Sequence, residues 1–154
     1  MRKLQIFVPQ VSDLFFLRNT RDAAISCKQY DSATEPEIYF YADRHSATGY
    51  IYTYRLMEPQ RFAGQMQREM MREIEAARPK YLVFVVVPTS WLRWRNSETE
   101  IFDWFDRYAA ADFRLDGLVN IVSRDRTDYY LPLSVDPGSI RLSKYYLLIF
   151  KRKT

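Results

Sequence analysis

Residues 77–92 read ARPKYLVFVVVPTSWL, and this stretch decides the fold. Tyr81–Val87 is continuously apolar and rich in β-branched residues, the pattern of a central strand buried on both faces. Pro79 stands just before it and stops any helix arriving from upstream. Such a helix is expected from Pro59 onward. Phe62, Met66, Met70 and Ile74 recur at steps of four, and Ala63 and Ala77 widen the stripe. Gln65, Arg68, Arg72 and Glu75 fall largely on the opposite face, so the methionine stripe reads as core rather than as an adaptable groove. Downstream, Ser97-Glu98-Thr99-Glu100 spells a capping box with acids in the first turn. The helix it opens has an apolar face of Ile101, Phe105 and Tyr108, helped by Phe102 and Ala109.

Working outward, Ala23–Cys27 reads as a short buried strand. Thr34-Glu35-Pro36-Glu37 reads as the start of a two-turn helix ending near Ala42, and Val11–Arg18 as another short helix. Tyr50–Tyr54 alternates tyrosine with Ile51 and Thr53 and has strong β-propensity. Beyond the second long helix come a strand at Leu115–Val122, a charged turn at Ser123–Asp128 and a small hairpin through Tyr129–Leu133. A turn at Asp136-Pro137-Gly138 and a last strand at Tyr145–Phe150 follow. This order predicts one α/β domain over residues 1–154. The fold expected is a Rossmann-like three-layer sandwich, its central sheet mostly parallel with antiparallel C-terminal strands. Tyr81–Val87 would be a central parallel strand, flanked by Ala23–Cys27 and Tyr50–Tyr54.

The chain has 154 residues, enough for one domain with a real core. Aromatic residues make up 16% of it, a high share that directs attention to stacking surfaces. The longest apolar run, Tyr81–Val87, is far short of the roughly 18–20 residues that span a bilayer. The opening MRKLQIFVPQVSDLFFL is interrupted by Gln5, Pro9, Gln10, Ser12 and Asp13 and makes a poor signal peptide. Net charge is +4, but the basic residues are dispersed, so nucleic-acid binding is not expected. Only Lys151-Arg152-Lys153 forms a basic run, which reads as solvated. A single cysteine, Cys27, and a single histidine, His45, leave no internal disulfide, no Cys-based zinc site and no plausible Cys–His catalytic pair.

In sheets of the expected kind, ligands sit beyond the carboxyl ends of the strands. The richest segment there is Pro88–Arg95. Thr89 and Ser90 offer hydroxyls, Trp91 and Trp94 offer indole faces, and Arg93 and Arg95 offer cationic donors. Indoles beside polar groups suit sugar rings, and arginine suits a phosphate. Thr89, Ser90, Trp91, Arg93 and Trp94 are therefore the candidate ligand-binding residues, with Trp94 expected to be the more exposed indole. The competing reading packs Trp91 and Leu92 on the core and leaves the arginines in solvent. No Gly-rich phosphate loop follows any strand, which disfavours a nucleotide cofactor. Glu35 and Glu37 are two residues apart and do not face each other on a helix, so they make a weak carboxylate pair. No catalytic residue, cofactor or metal ligand is assigned.

Four strings carry a resemblance: PEIYFYADRHSATGYIYTY at 36–54, MEPQRFAGQMQREM at 57–70, EIEAARPKYLVFVVVPTSWL at 73–92 and IFDWFDRYAA at 101–110. Through them, from about Thr20 to the end, the chain resembles the C-terminal soluble domain of bacterial family-39-like membrane glycosyltransferases, of the protein-mannosyltransferase and aminoarabinose-transferase kind. The resemblance implies an accessory domain on the extracytoplasmic (periplasmic) face of the inner membrane, expected to help position the acceptor or to pack against the membrane domain. The membrane-spanning part of such an enzyme, its partner, takes a sugar from a polyprenyl-phosphate donor and carries the acidic catalytic residues. None of those residues maps onto this chain, so the domain is not expected to be catalytic in isolation. A glycan or sugar phosphate is the ligand expected. The alternatives are a stand-alone sugar- or phosphate-handling enzyme built on the Pro88–Arg95 turn, and a structural or assembly domain without a small ligand.

Overall fold

The computed structural model describes residues 23–26, 46–50, 53–86, 91 and 93–154. The expected helices at Val11–Arg18 and Thr34–Ala42 lie outside the described residues, as do Cys27 and His45. Strand β2, Tyr81–Val86, is the apolar run, and Tyr81, Leu82, Val83 and Val85 are all buried. It pairs in parallel with β1, Ala23–Ser26, Ile25 standing opposite Val83. Its other neighbour is the last strand, β5, Tyr145–Arg152, which runs antiparallel and sets Phe150 opposite Leu82 and Leu148 opposite Phe84. On the far side of β5 lies β3, Phe113–Ile121, also antiparallel to it. The hairpin strand β4, Thr127–Tyr130, then pairs antiparallel with β3.

The sheet order is β1-β2-β5-β3-β4. This overturns the mostly parallel, Rossmann-like sandwich expected from the order of elements. β1, β2 and β3 do point the same way, but β5 is inserted between β2 and β3 and breaks the parallel ladder. Among the described strands only the β1–β2 neighbours are parallel; the other pairings are antiparallel. The physical reason is that an apolar strand such as Tyr145–Arg152 satisfies its ladder equally from either direction, so its composition fixes that it is interior and not where it inserts. The expected strand Tyr50–Tyr54 is corrected too. Tyr54 opens a one-turn helix, α1, Tyr54–Met57, with Thr53 as its N-cap, and β5 takes the place beside β2 that this strand was expected to fill.

Helix α2, Ala63–Ala77, starts four residues later than Pro59 implies. It ends because Arg78 turns into the left-handed region, φ 45°, where its N–H reaches the carbonyls of Ile74 and Glu75. Pro79 then prevents continuation. The buried face is Ala63, Gln67, Met70, Met71 and Ile74, so the expected stripe is core at Ala63, Met70 and Ile74, with Met66 packed against it, and departs from the core at Phe62 and Ala77. A strict step of four drifts by about 40° per step on a helix of 3.6 residues per turn. The line therefore leaves the core at its N-terminal end, where Phe62 is 46% exposed.

Helix α3, Glu100–Asp112, runs without a loop into β3. Its apolar side, Ile101, Phe105 and Ala109, meets α2 and the sheet residues Leu82, Phe84 and Phe150 in one core cluster. Phe105 stacks on Phe84 with ring centroids 4.4 Å apart and meets Phe150 edge-on at 5.7 Å. The opposite face of the sheet, with Val83, Val85, Val119 and Ile149, is buried as well. Gly117 allows Leu131 to lie against β3 there, since a Cβ at that position would run into Leu131 Cδ2.

The basic C-terminal run is structural rather than solvated. Lys153 Nζ donates to the carbonyls of Ala110 and Ala111, which are among the last of α3, at 2.7 and 3.0 Å. Arg152 is 16% exposed and donates to Asp112, to the Tyr108 hydroxyl and to the Pro79 carbonyl. Its guanidinium also sits 4.4 Å from the Phe113 ring centroid. Burial works against the charge, yet the hydrogen bonds that Arg152 donates to Asp112 and Tyr108 outweigh it and hold the guanidinium above even its usual high pKa. The end of β5 thus locks the α3–β3 corner to the entrance of β2.

Candidate functional site

The turn between β2 and α3 separates the candidate residues into two groups. Thr89 and Ser90 lie outside the described residues. Trp91 points inward: it is 3% exposed and meets Phe102 edge-on at 4.7 Å. Its backbone adopts φ 66°, unusual for a bulky residue. Arg93 and Trp94 point outward. The Arg93 guanidinium lies 5.7 Å from the Phe102 ring centroid, and the Trp94 indole is 58% exposed. Among the described candidates, Trp91 therefore does not share a platform with Arg93 and Trp94. Trp94 with Arg93 and the exposed Arg95 form the outer surface, while Trp91 anchors the turn to the core beneath them.

The outer turn is held firmly. The Trp94 N–H donates to Ser97 Oγ at 2.7 Å, and the Ser97 N–H returns to the Trp94 carbonyl at 3.2 Å. Ser97 Oγ in turn donates to the Met57 carbonyl at 2.5 Å, fastening the turn to the end of α1. Ser97 is consequently not the helix cap that the sequence predicts. The N-cap position belongs to Thr99, which makes no side-chain capping bond. The cap comes from α2: Gln67 Oε1 accepts the Ile101 N–H at 3.1 Å. Gln67 Nε2 meanwhile donates to the carbonyls of Leu56 and Glu98, at 2.8 and 2.9 Å.

A second surface was not singled out by sequence reasoning. Between α2 and α3 lies a groove of about 350 Å³ lined by Arg68, Met71, Arg72, Glu75, Glu100, Trp104 and Arg107. Arg68 pairs with Glu100 at 2.9 Å. The Trp104 indole N–H donates to Glu75 Oε1 at 2.6 Å, and its ring stacks on Tyr108 with centroids 5.0 Å apart. The signal was present in the spacing. Arg68, Arg72 and Glu75 align on one stripe of α2, and Glu100, Trp104 and Arg107 on one stripe of α3. What the spacing lacked was the knowledge that these two stripes meet.

A third cluster lies at the outer side of α2. The Tyr50 hydroxyl donates to Glu69 at 2.5 Å, and the Gly49 N–H to Glu73 at 3.0 Å. Burial first, then the Glu69 hydrogen bond and the negative charges of Glu69 and Glu73, push the Tyr50 phenol up to about 12. Because the folded protein holds this proton more tightly than the unfolded chain, the contribution is fully present below the ordinary tyrosine value of about 10 and is lost as pH rises through 12. The stability difference between the wild type and Tyr50→Phe should be constant near neutrality and shrink between pH 10 and 12. Urea melts across that range check it, and a gap that closes below pH 9 would contradict the assignment.

Among the described residues, no group of three or more His, Cys, Asp or Glu side chains is placed to hold a metal ion. No helix among them is long and apolar enough to cross a membrane. Comparison of the chain with family models, curated proteins and solved structures finds no match.

Proposed function

We propose that this domain is a recognition module for a saccharide or sugar phosphate, and that it serves a polyprenyl-phosphate-sugar-dependent membrane glycosyltransferase as an extracytoplasmic accessory domain. The first half of that reading is supported by one observation: a largely exposed indole, Trp94, fixed on a turn that is itself bonded to α1, with Arg93 and Arg95 beside it. An indole presented this way offers a flat face to the axial C–H groups of a sugar, and the neighbouring guanidinium groups offer donors to hydroxyl or phosphate oxygens. The turn loses little freedom when a ligand arrives, because the Ser97 hydroxyl has already ordered it. The second half, the glycosyltransferase partner and the extracytoplasmic location, rests on the sequence resemblance at residues 36–54, 57–70, 73–92 and 101–110.

A single shallow platform supports only weak binding, with Kd in the millimolar range, equivalent to about 4 kcal/mol. NMR titration with mono- and disaccharides and with a short polyprenyl-phosphate mimic tests the proposal. Amides of residues 93–97 should shift, and Trp94→Ala should remove the response while leaving the thermal melt unchanged. If none of these amides moves at high millimolar ligand, the domain is structural and the turn binds nothing.

A further inference from the structure

The groove between α2 and α3 lies apart from the Trp94 turn, and its charges are unevenly committed. Arg68 is neutralised by Glu100, and one oxygen of Glu75 is held by the Trp104 indole N–H. Arg72 uses only its Nε, donating to the Arg68 carbonyl at 3.2 Å. Among the described residues, neither the outer nitrogens of Arg72 nor the guanidinium of Arg107 has a carboxylate partner. Two guanidinium groups without a carboxylate partner among the described residues thus line one concave surface with a braced indole. Two planar cationic forks match the charge and geometry of a dianionic phosphate.

We propose that this groove is a binding site for a phosphomonoester carried on a hydroxylated ring, such as a monosaccharide phosphate. The phosphate would lie between Arg72 and Arg107, and the ring against Trp104. Glu75 and Glu100 sharpen the selectivity. Ionised carboxylates accept hydrogen bonds and cannot donate them, so they oppose a bare polyanion and favour a ligand that offers hydroxyl donors next to its phosphate. A volume of about 350 Å³ fits a ligand of monosaccharide size, at the small end of the range for ligand pockets. The inference does not depend on the Trp94 turn, and the two sites report on different residues.

The test is an NMR titration of the whole chain with glucose 6-phosphate, glucose and inorganic phosphate. The Trp104 indole N–H and the amides of residues 68–75 and 100–107 serve as reporters. Glucose 6-phosphate should give saturable shifts, inorganic phosphate weaker ones at the same amides, and glucose none. Arg72→Gln and Arg107→Gln should each weaken glucose 6-phosphate about tenfold or more, as loss of a charged hydrogen-bonding partner does. Together they should abolish the response. Both side chains are exposed, so thermal melts should show the variants folded. Arg124→Gln, which removes the same charge from the β3–β4 turn, controls for net charge and should leave the affinity as it is. Shifts that fail to saturate, that appear equally with glucose, or that survive the double substitution would overturn the proposal.

Discussion

Trp91→Ala is expected to destabilise the domain by about 3–5 kcal/mol, the range for deleting a buried aromatic side chain. The indole is 3% exposed and belongs to the core cluster that joins α1, α2 and α3. Its removal leaves a cavity at the point where the segment after β2 turns toward α3, and the edge-on contact with Phe102 is lost with it. The backbone adds a finer expectation. At φ 66° a side chain with a Cβ is strained and glycine is not. Trp91→Gly should therefore be no less stable than Trp91→Ala, the reverse of the usual order within a helix or strand. Guanidinium melts of the three proteins measure both statements. A cost for Trp91→Ala below about 1 kcal/mol would mean that the indole is not a core residue. It would also undermine the view that the outer turn is presented on a fixed base.

The contrast between Trp91 and Trp94 shows what the sequence can and cannot tell. Both lie in one short segment, Trp91 next to Leu92 and Trp94 between Arg93 and Arg95. Trp94 is the more exposed indole, as expected, whereas the left-handed backbone at Trp91 that turns that indole inward is in no propensity scale. β2 was legible because seven consecutive apolar residues have no comfortable place except an interior strand. The end of α2 was legible because Pro79 cannot be accommodated in a continuing helix. The existence of β5 was legible from its apolar run, whereas its insertion between β2 and β3 was not, since the choice is made by tertiary pairing over a long separation. That single placement turned an expected parallel sheet into a largely antiparallel one. The basic tail was misread for the same reason. Lys153 reads as solvated until β5 carries it to the carbonyl end of α3. Tyr50–Tyr54 failed in the opposite direction. Its β-propensity was strong, but Tyr50 is engaged by Glu69 and Tyr54 begins a helix turn, so local preference yielded to packing. The α2–α3 groove stayed hidden because each of its stripes looks like an ordinary solvated helix face when read alone.

Gln67, which no motif in the sequence marks, uses both ends of its amide, and its substitution should be among the most damaging. Gln67 is 0% exposed, and its side-chain amide reaches three backbone groups from three segments. It donates to the end of α1 through Leu56 and to the residue before the α3 cap through Glu98, and it accepts from Ile101 in the first turn of α3. Gln67→Met keeps the volume but leaves the Ile101 N–H and the two carbonyls without this partner. Each buried polar group so stranded costs about 1–3 kcal/mol, and partial relaxation keeps the total to roughly 3–5 kcal/mol. Gln67→Glu separates the acceptor role from the donor role. A carboxylate still accepts from Ile101 and suits the positive end of α3, but it cannot donate to Leu56 or Glu98, and it buries a charge. Burial should hold the folded-state pKa of that introduced carboxyl above its unfolded value, so the variant regains stability as pH falls and the carboxyl takes up a proton. Gln67→Met has no such group and should show no pH-dependent recovery. Urea melts of both variants at pH 7 and pH 5 decide the matter. If Gln67→Met costs less than about 1 kcal/mol, or if both variants respond to pH alike, then α3 is positioned by its apolar face alone and the amide is incidental.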